Sequence, residues 1–189
     1  MIIGIKDGEK ALLAFVNERD GGRFSPQDFY DKENIPVGVV AGDEGTIYGF
    51  AHSLRSSDIF TCNQEFLSGE ITPRGLICKT IPAMKKRLDE EGLVDGDDWR
   101  NCLVICQGNR VFDVDMRFLF QENSDYVVRS YNSETMRSAL EATKGLPARE
   151  RVLKALAFAE DYLRIKLFPA AIVDTESRNL EIVEREVTK

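Results

Sequence analysis

The sequence predicts an α+β protein in which antiparallel sheets are covered by helices. Three observations carry that prediction. Strand-like and helix-like stretches come in segregated runs, ordered ββ, β, αα, β-meander, αα, ββ, instead of alternating one for one as a parallel sheet requires. Two short loops, at Asp7-Gly8 and at Gly108-Asn109, join apolar runs through residues that tolerate positive φ, the mark of tight hairpins. A chain of 189 residues with 43% hydrophobic content can bury roughly 70% of its unfolded surface, enough for a true core.

Taken in order, Ile3 and Ile5 alternate with Gly4 and Lys6 and then give way to the apolar residues 11–16, which makes an opening hairpin. Residues 17–34 are polar and turn-rich, with Gly21-Gly22 and Ser25-Pro26. Residues 35–42 read as a buried strand running into a helix, because Ile47, Phe50, Ala51 and Leu54 stand at i, i+3, i+4 and i+7. Helical spacing returns at Leu76, Ile77, Ile81, Met84 and Leu88, but Pro82 removes a backbone donor, so one helix over 73–91 and two abutting helices both fit. Residues 103–107 and 110–114 form a second hairpin, and 118–120 and 126–128 add short strands. Helices follow at 133–144, stopped by Gly145, and from Pro147 through Leu163. Strands close the chain at 170–174 and 180–183. No linker, repeat or charge block divides it, which predicts one domain over 1–189, with 175–189 as a carboxyl-terminal edge strand and tail.

Charge and cysteine usage exclude several functions. With 25 basic against 32 acidic side chains the net charge is −7, the wrong sign for holding a phosphate backbone, so nucleic acid is not an expected partner. No apolar run approaches the ~20 residues that span a bilayer, and no leader pattern opens the chain, so a cytoplasmic protein without membrane contact is expected. Cysteines at 62, 78, 102 and 106 form no CxxC pair, and His52 is the one histidine, so neither a metal nor another cofactor is expected. Cys102 and Cys106 share a strand face about 13 Å apart, too far to bridge, and read as small core hydrophobes. His52 lies off its apolar stripe with no patterned nucleophile or acid beside it. The run Asp95-Gly96-Asp97-Asp98 lacks the alternating ligands of a calcium loop and reads as a solvated turn. Asp113 and Asp115 share a strand face about 7 Å apart, a spacing open to a metal or acid–base pair but read as a hairpin cap.

Several stretches resemble one family. Residues 1–17 resemble an opening hairpin in which a nucleophile is followed by glycine, a tight turn and an apolar strand. Val37-Gly38-Val39-Val40-Ala41-Gly42-Asp43 resembles a buried strand ending in Ala-Gly that leads into a first helix. Residues 102–115 resemble a central hairpin, and 126–140 a strand, a Gly-Ser-Gly turn and a helix. Together they resemble the N-terminal-nucleophile (Ntn) hydrolases, proteasome subunits and bacterial proteasome-like peptidases above all, over most of residues 1–174. The resemblance implies a four-layer αββα sandwich of two antiparallel sheets covered by helices.

It also implies where a site would stand. The family's first residue is Thr, Ser or Cys, with a nearby amine as base. Here that position is Met1, and residues 1–24 contain no Thr, Ser or Cys. The family's carboxylate falls on Asn17, its supporting lysine nearest Lys32, and the serine of its Gly-Ser-Gly turn on Tyr131, while Gly42 matches the oxyanion-hole glycine. The resemblance therefore implies a non-catalytic protein that acts through self-assembly, as a homo-oligomer, or through a protein partner. Two alternatives stand beside it: an amide hydrolase or peptidase with a relocated nucleophile such as Thr61 or Cys62, and a small-ligand or peptide binding module that uses the old cleft between the sheets, with Asn17 and Tyr131 on its wall.

Overall fold

The structure, a computed structural model, describes residues 1–16, 39–42, 45–51, 59, 71–96, 98–99, 101–130 and 132–185. The opening hairpin pairs β1 (Ile2–Asp7) with β2 (Lys10–Phe15), and the sequence of strands continues with β3 (Val39–Ala41) and β4 (Thr46–Ala51). A helical run begins at Pro73–Gly75, passes through a π-helical turn at Leu76–Thr80 and ends in α1 (Ile81–Glu90). The small hairpin β5 (Val94–Asp95) and β6 (Asp98–Trp99) precedes β7 (Cys102–Gln107), β8 (Arg110–Val114), β9 (Phe120–Asn123) and β10 (Tyr126–Arg129). Then come α2 (Ser133–Ala142), α3 (Ala148–Leu163), β11 (Ala170–Asp174) and β12 (Glu181–Val183).

Among the described residues the paired strands run antiparallel, in two five-stranded sheets and the small two-stranded β5–β6 ribbon. Sheet 1 runs β10-β1-β2-β11-β12 and sheet 2 runs β3-β4-β7-β8-β9. Alternation along each strand sorts the apolar side chains into three layers. Met1, Ile3 and Ile5 meet Met136, Leu140, Val152 and Leu156 between sheet 1 and α2 and α3. Ile2, Leu13, Val104, Cys106 and Val111 fill the space between the sheets. Tyr48, Phe50, Ile105 and Phe112 meet Met84 and Leu88 of α1 on the far side of sheet 2. This is the expected αββα sandwich. The sheets approach closely because two facing positions carry no side chain: a Cβ on Gly4 would stand 2.7 Å from Val104 Cγ1, and one on Gly49 2.8 Å from Leu13 Cδ1.

Local turn chemistry placed both main hairpins correctly, with Gly8 at φ 65° and Gly108 at φ 54°. Thr175 ties the two hairpins together, accepting from Ala11 N–H at 3.1 Å and donating to Gly108 O at 2.8 Å. Three expectations are corrected. The stretch expected as helix from Ile47 is strand β4, because sheet 2 buries both of its faces, and a run buried all round shows neither period clearly. The strand ending in Ala41-Gly42 therefore turns back into β4 and not into a helix. The strand expected at 118–120 begins only at Phe120, since Phe118 takes a left-handed φ of 60° to stack on Trp99 at 5.5 Å between ring centroids. Of the two readings around Pro82, the run stays helical: Ile81 N–H reaches back five residues to Leu76 O, and this wider turn precedes the proline. Among the described residues no helix is long and apolar enough to cross a membrane.

Candidate functional site

The residue that opens β1 is Met1, and its place follows from the alternation of the strand. Its nitrogen donates to Val16 O at 2.8 Å, Val16 N–H returns to Met1 O at 2.9 Å, and its side chain joins Ile3 and Ile5 in the core beneath α2 and α3. Only 7% of Met1 is exposed. A thioether has no proton to give up and makes no acyl intermediate, so this position fills space where the resemblance asks for a nucleophile.

Gly42 stands at the far end of β3, half-buried, and its N–H donates to Thr46 O at 2.8 Å across the β3–β4 connection. That amide closes a turn. Asn17, Lys32 and Tyr131 lie outside the described residues, as do His52, Thr61 and Cys62. The structure thus places two of the five family-site positions, and Met1 and Gly42 belong to different sheets.

Near the start of β1 the structure shows a group that sequence reasoning did not assemble. The register sets Arg129 of β10 opposite Ile2, and its guanidinium crosses to sheet 2, where Nε donates to Asp113 Oδ1 at 2.6 Å and Nη2 donates to Oδ2. Burial pushes the Asp113 carboxyl above its ordinary range, and the bonds from Arg129 recover only part of that shift. Burial works to lower Arg129, but its bond to Asp113 outweighs it and holds the guanidinium above its ordinary value. The pair is a charged clamp between the sheets. Asp115 does not share it: its Oδ1 accepts the N–H groups of Arg117 at 2.8 Å and Leu119 at 3.0 Å, the capping role expected of it. The signal for the clamp was an arginine ending an apolar strand, whose partner is a strand of the other sheet.

The buried thiols nearby are held protonated. Burial pushes Cys102 up, against the pull of Arg129, and pushes Cys106 up to about 12. Both face the layer between the sheets, as their spacing predicted, and neither has the electropositive, open setting of a reactive thiolate. Asp95 and Asp98 are exposed around the β5–β6 turn, and Asp97 lies outside the described residues.

The sequence matches no protein-family model and none of the curated proteins. Solved structures do match. The BPH of Thiobacillus denitrificans superposes with a TM-score of 0.70 at 13% identity, covering 98% of this chain and 98% of its own. Anbu (ancestral beta-subunit) from Yersinia bercovieri gives 0.64 at 12% identity over 98% of this chain and 87% of its own. Eukaryotic HslV from Trypanosoma brucei gives 0.59 at 13% identity over 92% and 97%. At such identities the likeness is one of fold: two antiparallel sheets between helical layers, as in the proteasome-like Ntn hydrolases.

Proposed function

We propose that on this proteasome-like scaffold the protein is a non-catalytic subunit, acting by assembly with copies of itself or with a protein partner. The observation that carries the assembling role is an aromatic pair on the outer face of α3. Phe158 and Tyr162 stand one helical turn apart, 51% and 69% exposed, with rings stacked at 5.8 Å and 10°. Stacked aromatic rings ringed by charge are the composition of interface centres, where such side chains supply most of the binding energy. The surrounding charges fit that reading: Lys154 bonds Glu150 at 2.9 Å toward one end of the helix, and Arg185 bonds Asp161 at 2.7 Å beside Tyr162.

The non-catalytic half rests on Met1, buried at the position where the resemblance requires a hydroxyl or thiol. The T. denitrificans BPH is seen in complex with epoxomicin, which makes that compound the test. The expected result is an unchanged intact mass after incubation with epoxomicin, and no turnover of peptide amides. A covalent adduct at any residue, Thr61 and Cys62 included, overturns the non-catalytic reading while leaving the assembling role to be measured by mass in solution.

A further inference from the structure

A cleft of about 440 Å³ opens where the chain passes from sheet 2 to sheet 1, between the β9–β10 corner and α2. Tyr126 on its wall pairs with Ile5, about 14 Å along the strand from Met1, while Asp113 at its other side belongs to the clamp near the start of β1. Its carboxylates are all engaged. Asp113 holds Arg129, and Asp125 accepts Nη1 and Nη2 of the buried Arg151 at 3.0 and 3.1 Å. Glu141 accepts the phenol of Tyr126, which burial and that bond push up to about 12.

Four of its donors are not engaged, while Asn123 Nδ2 donates to Gln121 O at 3.1 Å and the Tyr126 phenol to Glu141. The side chains of Gln121, Ser124, Arg137 and Lys144 come from β9, the corner, α2 and the turn after it, and among the described residues they make no hydrogen bond or ion pair. With Asp113–Arg129 and Asp125–Arg151 each neutral, Glu141, Arg137 and Lys144 leave the cleft one positive charge in excess, in a chain whose net charge is −7. The volume falls in the range of small-molecule sites, and its polar wall suits a hydroxylated ligand more than an apolar one.

We propose that this cleft binds a small hydroxylated oxyanion, a phosphate or carboxylate whose charged end meets Arg137 and Lys144 and whose hydroxyls meet Gln121 and Ser124. The guanidinium fork offers two parallel N–H bonds to a pair of oxygens, and the ammonium adds a second point of charge. The carboxylates keep their own hydrogen-bond partners, and Arg137 acts on Asp113 and Tyr126 through its charge alone. The site is independent of the assembling role.

Calorimetric titration of the full chain with glucose 6-phosphate, gluconate and neutral glucose tests it. Saturable binding of at least one of the two anions is expected, with glucose at least about tenfold weaker, and the anion that binds identifies phosphate or carboxylate as the preferred group. Because Arg137 and Lys144 are exposed, the variant R137Q·K144Q should keep the melting temperature of the parent while losing affinity by at least about tenfold. A distant exposed substitution, Lys79→Gln, should leave affinity unchanged. Absence of saturable binding for both anions at millimolar concentration, equal affinity in R137Q·K144Q, or an equal loss in Lys79→Gln overturns the proposal.

Discussion

Replacing Gly4 with alanine drives a methyl group into the layer between the sheets. The new Cβ would lie 2.7 Å from Val104 Cγ1, 2.8 Å from Val111 Cγ1 and 3.3 Å from Cys106 Sγ. All three neighbours have no exposed surface, so none can swing into solvent. Overpacking of this kind costs roughly 1–3 kcal/mol, and the gain from replacing a strand glycine offsets about 0.5–1 kcal/mol; with all three neighbours fully buried the cost sits at the upper end, leaving a net loss of about 2 kcal/mol. Val104→Ala removes the nearest methyl group, so G4A and V104A should be coupled by about 1 kcal/mol or more, the double variant costing less than the sum of the singles. Urea denaturation reads this directly, with the fluorescence of Trp99, buried between Phe50 and Phe118, as the probe. A neutral or stabilising G4A, or strict additivity with V104A, would refute the close approach of the two sheets.

Arg129→Met leaves the largely buried Asp113 carboxylate alone and should cost roughly 1–3 kcal/mol, most of it recovered when Asp113→Asn is added, as a double-mutant cycle in urea will show. Thr175→Val keeps the shape but removes the hydroxyl between the hairpins, an expected loss of about 1–2 kcal/mol in the same assay. Acid should weaken the fold through carboxylates held low, Glu122 and Asp174 among them, while Asp113, held high by burial, works in the opposite sense. The bond from Arg110 holds Glu122 below its ordinary value; burial works to raise Asp174, but the backbone and hydroxyl of Ser177 and the Glu176 amide outweigh it and hold it low. In the window below their ordinary pKa near 4 these two groups bind more protons in the unfolded chain than in the folded one, so the stability they contribute is full above that window and is lost as pH drops through it. Melting temperatures followed from neutral to acid pH should fall less steeply in Glu122→Gln than in the parent.

What the sequence made legible was local. Asp7-Gly8 and Gly108-Asn109 announce their hairpins because two-residue turns demand particular backbone angles, and Gly145 and Pro147 punctuate α2 and α3 for the same reason. Strand β4 was illegible because each of its residues is buried, so its apolar run satisfied a helical template equally well. The π turn before Pro82 depends on where the backbone finds room, which composition does not encode. Met1 and Gly42 could be named from the resemblance, yet the Gly42 amide proves to bond Thr46 O across the β3–β4 connection. The Arg129–Asp113 clamp joins residues of different sheets, and no spacing rule links strands that meet face to face.

Light scattering on the purified chain decides whether this scaffold works by assembly. At micromolar concentration the parent should show a multiple of 21.3 kDa, and F158D·Y162D, which places two carboxylates on the outer face of α3, should return to 21.3 kDa with its melting temperature kept. A parent that stays at 21.3 kDa across that range, or a variant that assembles as the parent does, contradicts the account.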